Sequence, residues 1–341
     1  MGGSDINKLP QQILGKSGWP WTVEPSQLLH HKQVDPNWPK ISIVTPSYNQ
    51  GKFIEETIRS VLLQGYPDIE YIIIDGGSND ETTDILKKYE PWLSYWVSEP
   101  DRGQSHALNK GFARATGEIF AYINSDDLYE RGALEVAGRT FVNQKQSDLL
   151  AGECTIFDDQ KEIRIFKPWW PSNPDHMLLP FGSTFAQPAS FWTKTAYESV
   201  GGFDESLHFV LDREFFLKLS LQGVIPILLP QVLARYREHA YTKTRQTIKI
   251  YEESMPLIKK YADNCGLTQR NKKQLLWKTN NEIGYLSTFI CWKRRGRFAA
   301  IRWFFVLLMK SPTLIFQRKI MGLARRLAWF KSEDVLELNN V

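Results

Sequence analysis

The sequence predicts an α/β protein of Rossmann-like type, a mostly parallel central sheet with helices on both faces, extended by a C-terminal helical segment. Two observations carry that expectation. From Lys40 onward, short apolar runs of strand length alternate with helical stripes, the pattern of right-handed βαβ units. From about Thr247 the strand signals stop and the periodicity is wholly helical.

The elements follow in order. Residues 1–40 are rich in Pro, Trp and polar residues without sustained periodicity, and read as an arm laid over the main domain. Ile41 to Thr45 is a buried strand bounded by Pro39 and Pro46. Lys52 to Gln64 carries Phe53, Ile54, Ile58, Val61 and Leu62 on one helical face. Glu70 to Asp75 is a second buried strand, after which Ser78 and Glu81 have the spacing of a capping box for a helix running to Tyr89. Trp92 to Ser98 is a third strand, Gln104 to Ala115 a helix, and Glu118 to Ile123 the fourth strand. Beyond it, Leu149 to Phe166 reads as two strands, Trp169 to Ser183 as a loop, and Asp212 to Gln222 as a helix.

Composition sets the bounds. The 341 residues are 42 % apolar and 23 % charged, as in an ordinary folded protein. Cys154, Cys265 and Cys291 are odd in number and without metal spacing, which fits a reducing compartment and no zinc site. The N-terminal residues lack an apolar run of signal-peptide length, and no stretch of about 20 apolar residues would span a membrane. The net charge of +4 is uneven. Residues 283–331 hold eleven Lys and Arg and no acid, leaving 31 basic against 38 acidic residues elsewhere. Within Trp292 to Lys331 these cations interleave with Trp303, Phe304, Phe305, Trp329 and Phe330, as an interfacial helix requires. The expected partner is an anionic membrane surface and not nucleic acid, with a cytoplasmic location on the inner face. Packing of the same residues on the core is the alternative.

Ligand-type residues collect where the strands end, which is where open α/β sheets bind. The four sets are Thr45, Pro46, Ser47, Tyr48 and Asn49; Asp75 to Ser78; Glu99 to Gln104; and Asn124, Ser125, Asp126 and Asp127. Adjacent carboxylates repel unless a cation or a ligand offsets them, so Asp126 and Asp127 suggest a divalent metal and a phosphate-bearing ligand. A turn in which Asp127 caps the next helix uses the same residues. Asp75 has the chemistry to accept from a base N–H or a ribose hydroxyl.

Taken together, TPSYNQGKFIEETIRSVLLQ, IDGGSNDET, EPDRGQSHALNKG and YINSDD look like family 2 glycosyltransferases of GT-A fold, bacterial surface-polysaccharide type, over roughly Ile41 to Thr244. The resemblance implies a catalytic domain over 41–246, with a nucleotide-binding half (41–127) and an acceptor half (128–246), before a basic helical region (247–341). It implies inverting transfer of one hexosyl or N-acetylhexosaminyl unit from a nucleotide-sugar, by family default a UDP-sugar, to a glycan or lipid-linked glycan. Asn124, Ser125 and Asp126 stand at the family's DXD motif, with Asn124 in place of the first Asp. Asp126 becomes the ligand of Mn²⁺ or Mg²⁺, joined by His239, whose alternative is a surface or satisfied core histidine. Thr45, Pro46, Tyr48, Asn49, Asp75, Gln104, Asn109, Asn124 and Ser125 line the nucleotide site.

In GGFDESLHFVLDREFFLKL the resemblance makes Asp212 the catalytic base, with Leu211 where the family carries a further Glu; a helix cap is the structural alternative. Gln187 to Ser190 resemble the acceptor-side loop. Arg102 and Lys110 suit phosphate or ordinary surface pairs. No QxxRW segment accompanies these motifs, so single addition is expected and not processive synthesis. A nucleotidyltransferase would need a Gly-rich loop after the first strand, where only Gly51 stands. A non-catalytic binding protein on the same scaffold is the third reading, hinted at by Asn124 and Leu211.

Overall fold

Strand β1 (Ile41–Ser47) is buried along its whole length, which its apolar run ISIV demands once strands flank it on both sides. It pairs in parallel with β2 (Ile69–Asp75) and β4 (Ile119–Tyr122), and β2 pairs in parallel with β3 (Tyr95–Ser98). The connecting helices are α1 (Ile54–Leu62), α2 (Thr82–Tyr89) and α3 (Gln104–Phe112). The computed structural model describes residues 8–10, 15–22, 38–144, 147–158, 161–179, 182–239, 242–295 and 297–310. The basic stretch beyond Lys310 lies outside them.

Among the described residues the sheet has nine strands in the order β3-β2-β1-β4-β8-β6-β9-β5, with β7 on β6; here β5 is Leu128–Tyr129, β6 Leu149–Phe157, β7 Glu162–Phe166, β8 Ser190–Thr193 and β9 Ile227–Arg237. Because the order runs 3-2-1-4, the chain leaves β1 in opposite directions, and the crevice at its carboxyl end is the topological switch point. The sheet is less parallel than expected. β8 runs antiparallel to β4 and to β6, and β7 returns along β6. The connection from β6 to β7 is too short for a crossover helix, so that pair is a hairpin. β9 is parallel to β6 and antiparallel to the two-residue β5.

Ile41, Ile43, Ile54, Ile58, Val61, Tyr71, Ile73 and Leu134 form the core between the sheet, α1 and α4 (Ala133–Asn143). On the opposite face α3 lies so close to β1 that a Cβ on Gly111 would stand 2.4 Å from Val44 Cγ1. Residues 8–10 and 15–22 make contacts with β5 and α1. Trp19 Nε1 donates to Tyr129 O at 2.8 Å, Arg59 donates to Pro20 O and Pro10 O, and Trp21 is buried beneath the Arg59 guanidinium.

Two sequence expectations change. Ser78 and Glu81 do not form a capping box: no side chain caps α2 through Glu81, Ser78 bonds to Asp75, and Asp80 Oδ1 accepts from Thr82 N at 3.0 Å instead. Nor does Asp127 cap the next helix, since α4 starts at Ala133 behind Gly132 and Asp127 is buried six residues earlier.

The chain divides into two compact units, Met1–Met177 with Gly182–Thr242, and Leu178–Phe181 with Lys243–Val341. In the second, α7 (Thr247–Tyr261), α8 (Gln269–Arg295) and α9 (Arg297–Lys310) follow one another. α7 packs through Ile250, Leu257 and Ile258, and Lys272 Nζ reaches Asp263 Oδ2 at 2.7 Å across the turn between α7 and α8. No helix among the described residues is long and apolar enough to cross a membrane.

Candidate active site

The site is assembled by a strand pairing only two residues long. β5 and β9 register Leu128 with Arg235, so the residues just before β5 meet those at the end of β9. Arg237 N donates to Asp127 Oδ1 at 3.0 Å and Arg237 Nε to Asp126 O at 3.0 Å. The guanidinium, 5 % exposed, reaches Glu56 Oε2 at 2.9 Å and lies over Phe53 and Phe157. Held beside it, His239 stacks on Phe53 and places Nε2 2.9 Å from Asp126 Oδ2.

The four residues of the NSDD segment have different surroundings. Asp126 and His239 keep 18 % and 13 % of their side chains exposed. Asp127 is fully buried, and burial, then the Asp126 charge, push its carboxyl well above the usual range despite Arg237 and Asn124. Ser125 is also buried. Asn124 is the bridge: Nδ2 donates to Asp127 Oδ2 at 3.1 Å, and Oδ1 accepts from Gln104 Nε2 at 2.7 Å. An aspartate there would present a second carboxylate to Asp127 instead of a donor, so the neutral side chain fits this arrangement.

The loops after β1 and β2 are zipped together. Asn49, at φ 53°, donates its N–H to Ser78 Oγ and accepts from Asn79 N, while Gly51 N bonds Asp80 Oδ2. Tyr48 is left outward at 60 % exposure. Thr45 and Pro46 are buried, and Thr45 Oγ1 pairs with Tyr71 OH at 3.0 Å. Asp75 is buried too, its oxygens accepting from Gly77 N, Ser78 N, Ser78 Oγ and Ser98 Oγ. It therefore holds the turn, with no exposed oxygen to offer a base.

A carboxylate missed as a separate candidate stands in front of it. Asp101 is partly exposed, accepts from Gly103 N at 2.7 Å, and lies so near Gly76 that a Cβ there would be 2.8 Å from Asp101 Oδ2. Its signal in the sequence was its place in the third strand-end loop.

Asn109 links α3 to α5 (Lys194–Ser199) and to the loop before α6 (Leu211–Leu221). It donates to Phe203 O at 2.9 Å and to Glu205 Oε1, and accepts from Tyr197 OH and Phe203 N. With both ends of its amide engaged, Asn109 is a brace. Arg102 pairs with Glu205 and Lys110 with Glu99, so both cations are in structural ion pairs.

Asp212 lies in the first turn of α6, half-buried, in a small cleft lined by Met177, Ser183, Thr184, Phe185 and Phe216. Its neighbour Leu211 is buried. Burial first, then the nearby carboxylates of Asp212 and Asp127, raise the hydroxyl of Tyr122, the last residue of β4, well above its ordinary range. Asp212 and Asp127 thus act on one and the same hydroxyl. Gln187 donates to Tyr122 O at 2.7 Å and is buried, with Pro188, Ala189 and Ser190, beneath that strand end.

Asp126 Oδ2 and His239 Nε2, 2.9 Å apart and both partly open, are the atoms that would hold a divalent cation beside them. This is a donor pair suited to Mn²⁺ and, less specifically, Mg²⁺. Among the described residues no cluster of three or more His, Cys, Asp or Glu offers a closed cage. Remaining positions would fall to ligand oxygens and water.

Residues 42–174 match the family model "Glycosyl transferase family 2". A Bacillus subtilis protein provisionally named as the teichuronic acid biosynthesis glycosyltransferase TuaG is 42 % identical over 103 residues, covering 29 % of this chain and 41 % of TuaG. Among solved structures, residues 1–349 of Staphylococcus aureus TarS in complex with UDP-GlcNAc superpose with a TM-score of 0.54 at 18 % identity, covering 87 % of this chain and 92 % of that one. The Pyrobaculum calidifontis mannosyltransferase PcManGT, in complex with GDP-Man and Mn²⁺, gives 0.50 at 18 % identity, covering 93 % of each chain. With its switch-point crevice and its strand-end motifs, the chain has the GT-A fold, and its residues 42–174 are similar to glycosyl transferase family 2.

Proposed function

We propose that the protein transfers one sugar, with inversion, from a UDP-sugar to a hydroxyl of a glycan or lipid-linked glycan, in a metal-dependent reaction with Asp212 as base. The observation that carries this reading is the pairing of Asp126 with His239 just beyond the end of β4. The UDP-GlcNAc bound to the TarS fragment supports the donor class, the Mn²⁺ in PcManGT supports the metal, and TuaG supports a surface polysaccharide as the acceptor.

Each residue has a part. Tyr48 offers an exposed ring for the base, and Asp101 an accessible carboxylate for a base N–H or ribose hydroxyl. Asn49 and Asp75 hold the loops that present them. When bound at Asp126 and His239, a divalent cation supplies positive charge to the donor diphosphate, where negative charge grows as the glycosidic bond breaks. Asp212 accepts the acceptor hydroxyl proton as its oxygen attacks the anomeric carbon from the face opposite the diphosphate. The test is product analysis of the full chain with UDP-sugars and Mn²⁺. Release of UDP with a sugar of inverted configuration on the acceptor is expected; release of pyrophosphate, or no turnover with any UDP-sugar, overturns the reading.

A further inference from the structure

Among the described residues, helix α9 carries an exposed apolar face. Phe298 is 87 % exposed, Phe305 62 % and Met309 84 %. Their spacing, seven and then four residues, places them on one side of the helix, and exposed Arg302 lies between them on that side. The packed side is the other one, where Ala300 and Phe304 are buried. Three large apolar side chains standing in water along one helix face form a patch that marks an interaction surface.

The charge of the sequence that holds the patch identifies the occupant. Residues 283–331 contain eleven Lys and Arg and no Asp or Glu, and Arg297 and Lys310 bracket the helix itself. A second copy of the chain would bring the same cations face to face, which is unfavourable. An anionic lipid surface matches both features, since the headgroup boundary takes the apolar side chains while phosphates meet the cations. At 14 residues α9 is about 21 Å long, too short to span a bilayer.

We propose that this face of α9 binds in the plane of a bilayer rich in anionic lipid, Phe298, Phe305 and Met309 entering the headgroup boundary and Arg302 meeting lipid phosphate. The experiment is co-sedimentation of the full chain with sucrose-loaded vesicles of phosphatidylcholine, with and without phosphatidylglycerol. Binding is expected only to the anionic vesicles, and it weakens as salt is raised. The combined Phe298→Ser, Phe305→Ser, Met309→Ser variant lowers affinity about tenfold or more, and Arg302→Glu lowers it about tenfold. Because all four side chains are exposed, the circular dichroism spectrum and melting temperature stay unchanged. Absence of vesicle binding at low salt overturns the proposal, as does undiminished binding by the triple variant. So does a dimer in light scattering that the triple variant dissociates, which would make the patch an interface between copies.

Discussion

His239 Nε2 lies 2.9 Å from Asp126 Oδ2 although 113 residues separate them in the chain. The contact exists because the β5–β9 pairing brings Arg237 against the backbone of Asp126 and the side chain of Asp127, and His239 follows two residues later. Phe53, the residue before α1, closes the stack.

If this pair holds the metal, its two members differ in weight. His239→Ala removes one neutral donor and leaves the carboxylate, so turnover falls about 10–100-fold at limiting Mn²⁺ and recovers in part as Mn²⁺ is raised. Asp126→Asn removes the charged donor, and activity stays lost at any Mn²⁺ concentration. Initial rates across a Mn²⁺ titration check both. Equal, non-rescuable losses would place His239 in some other role.

Asn124→Asp probes the bridge between Gln104 and Asp127. The substitution replaces a donor to Asp127 with a second carboxylate at 3.1 Å, beside a buried group. A loss of about 1–3 kcal/mol of stability is expected at neutral pH. Chemical denaturation measures it, and a variant as stable as the parent would show that the amide is not needed.

The first half of the fold was legible because β1, β2 and β4 are apolar runs that stop at polar strand ends, and a parallel sheet allows little else. β5 and β9 were not. β5 has two residues, below any periodicity, and β9 contains Pro230, where its register on β6 skips two residues between Leu229 and Val232. The site was legible as a place more than as a set of contacts. Asp75 and Asp127 carry the expected residue types, yet the structure turns both inward, Asp75 to the Gly77–Ser78 turn and Asp127 to Arg237. A strand-end carboxylate serves a ligand or a loop according to which donors surround it, and those donors come from distant segments.

For Asp212 the expectation separates chemistry from binding. Asp212→Asn keeps the side-chain shape at the start of α6 but removes the proton acceptor. The rate of transfer should fall about 10²–10⁴-fold, with the UDP dissociation constant from calorimetry unchanged. Loss of UDP affinity together with rate would instead mark a structural residue.

Glu70 gives the fold a defined acid sensitivity away from the site. It is 9 % exposed and accepts from Ser42 Oγ at 2.6 Å, Thr116 N at 2.6 Å, Thr116 Oγ1 at 2.8 Å and Lys40 Nζ at 3.1 Å, tying β1, β2 and the turn before β4 together. Burial alone would raise its pKa, but these four donors outweigh burial and hold it below the ordinary glutamate value of 4.5. A carboxyl more acidic in the folded than in the unfolded chain stabilises the fold fully above the unfolded pKa, and the contribution is lost as pH falls through the folded pKa. Glu70→Gln should therefore cost about 1–2 kcal/mol at pH 7, with the gap to the parent closing as pH drops below about 4.5. Denaturant midpoints for both proteins across this range give the answer. A gap that stays constant down to pH 3 would assign the cost to packing and not to the charge.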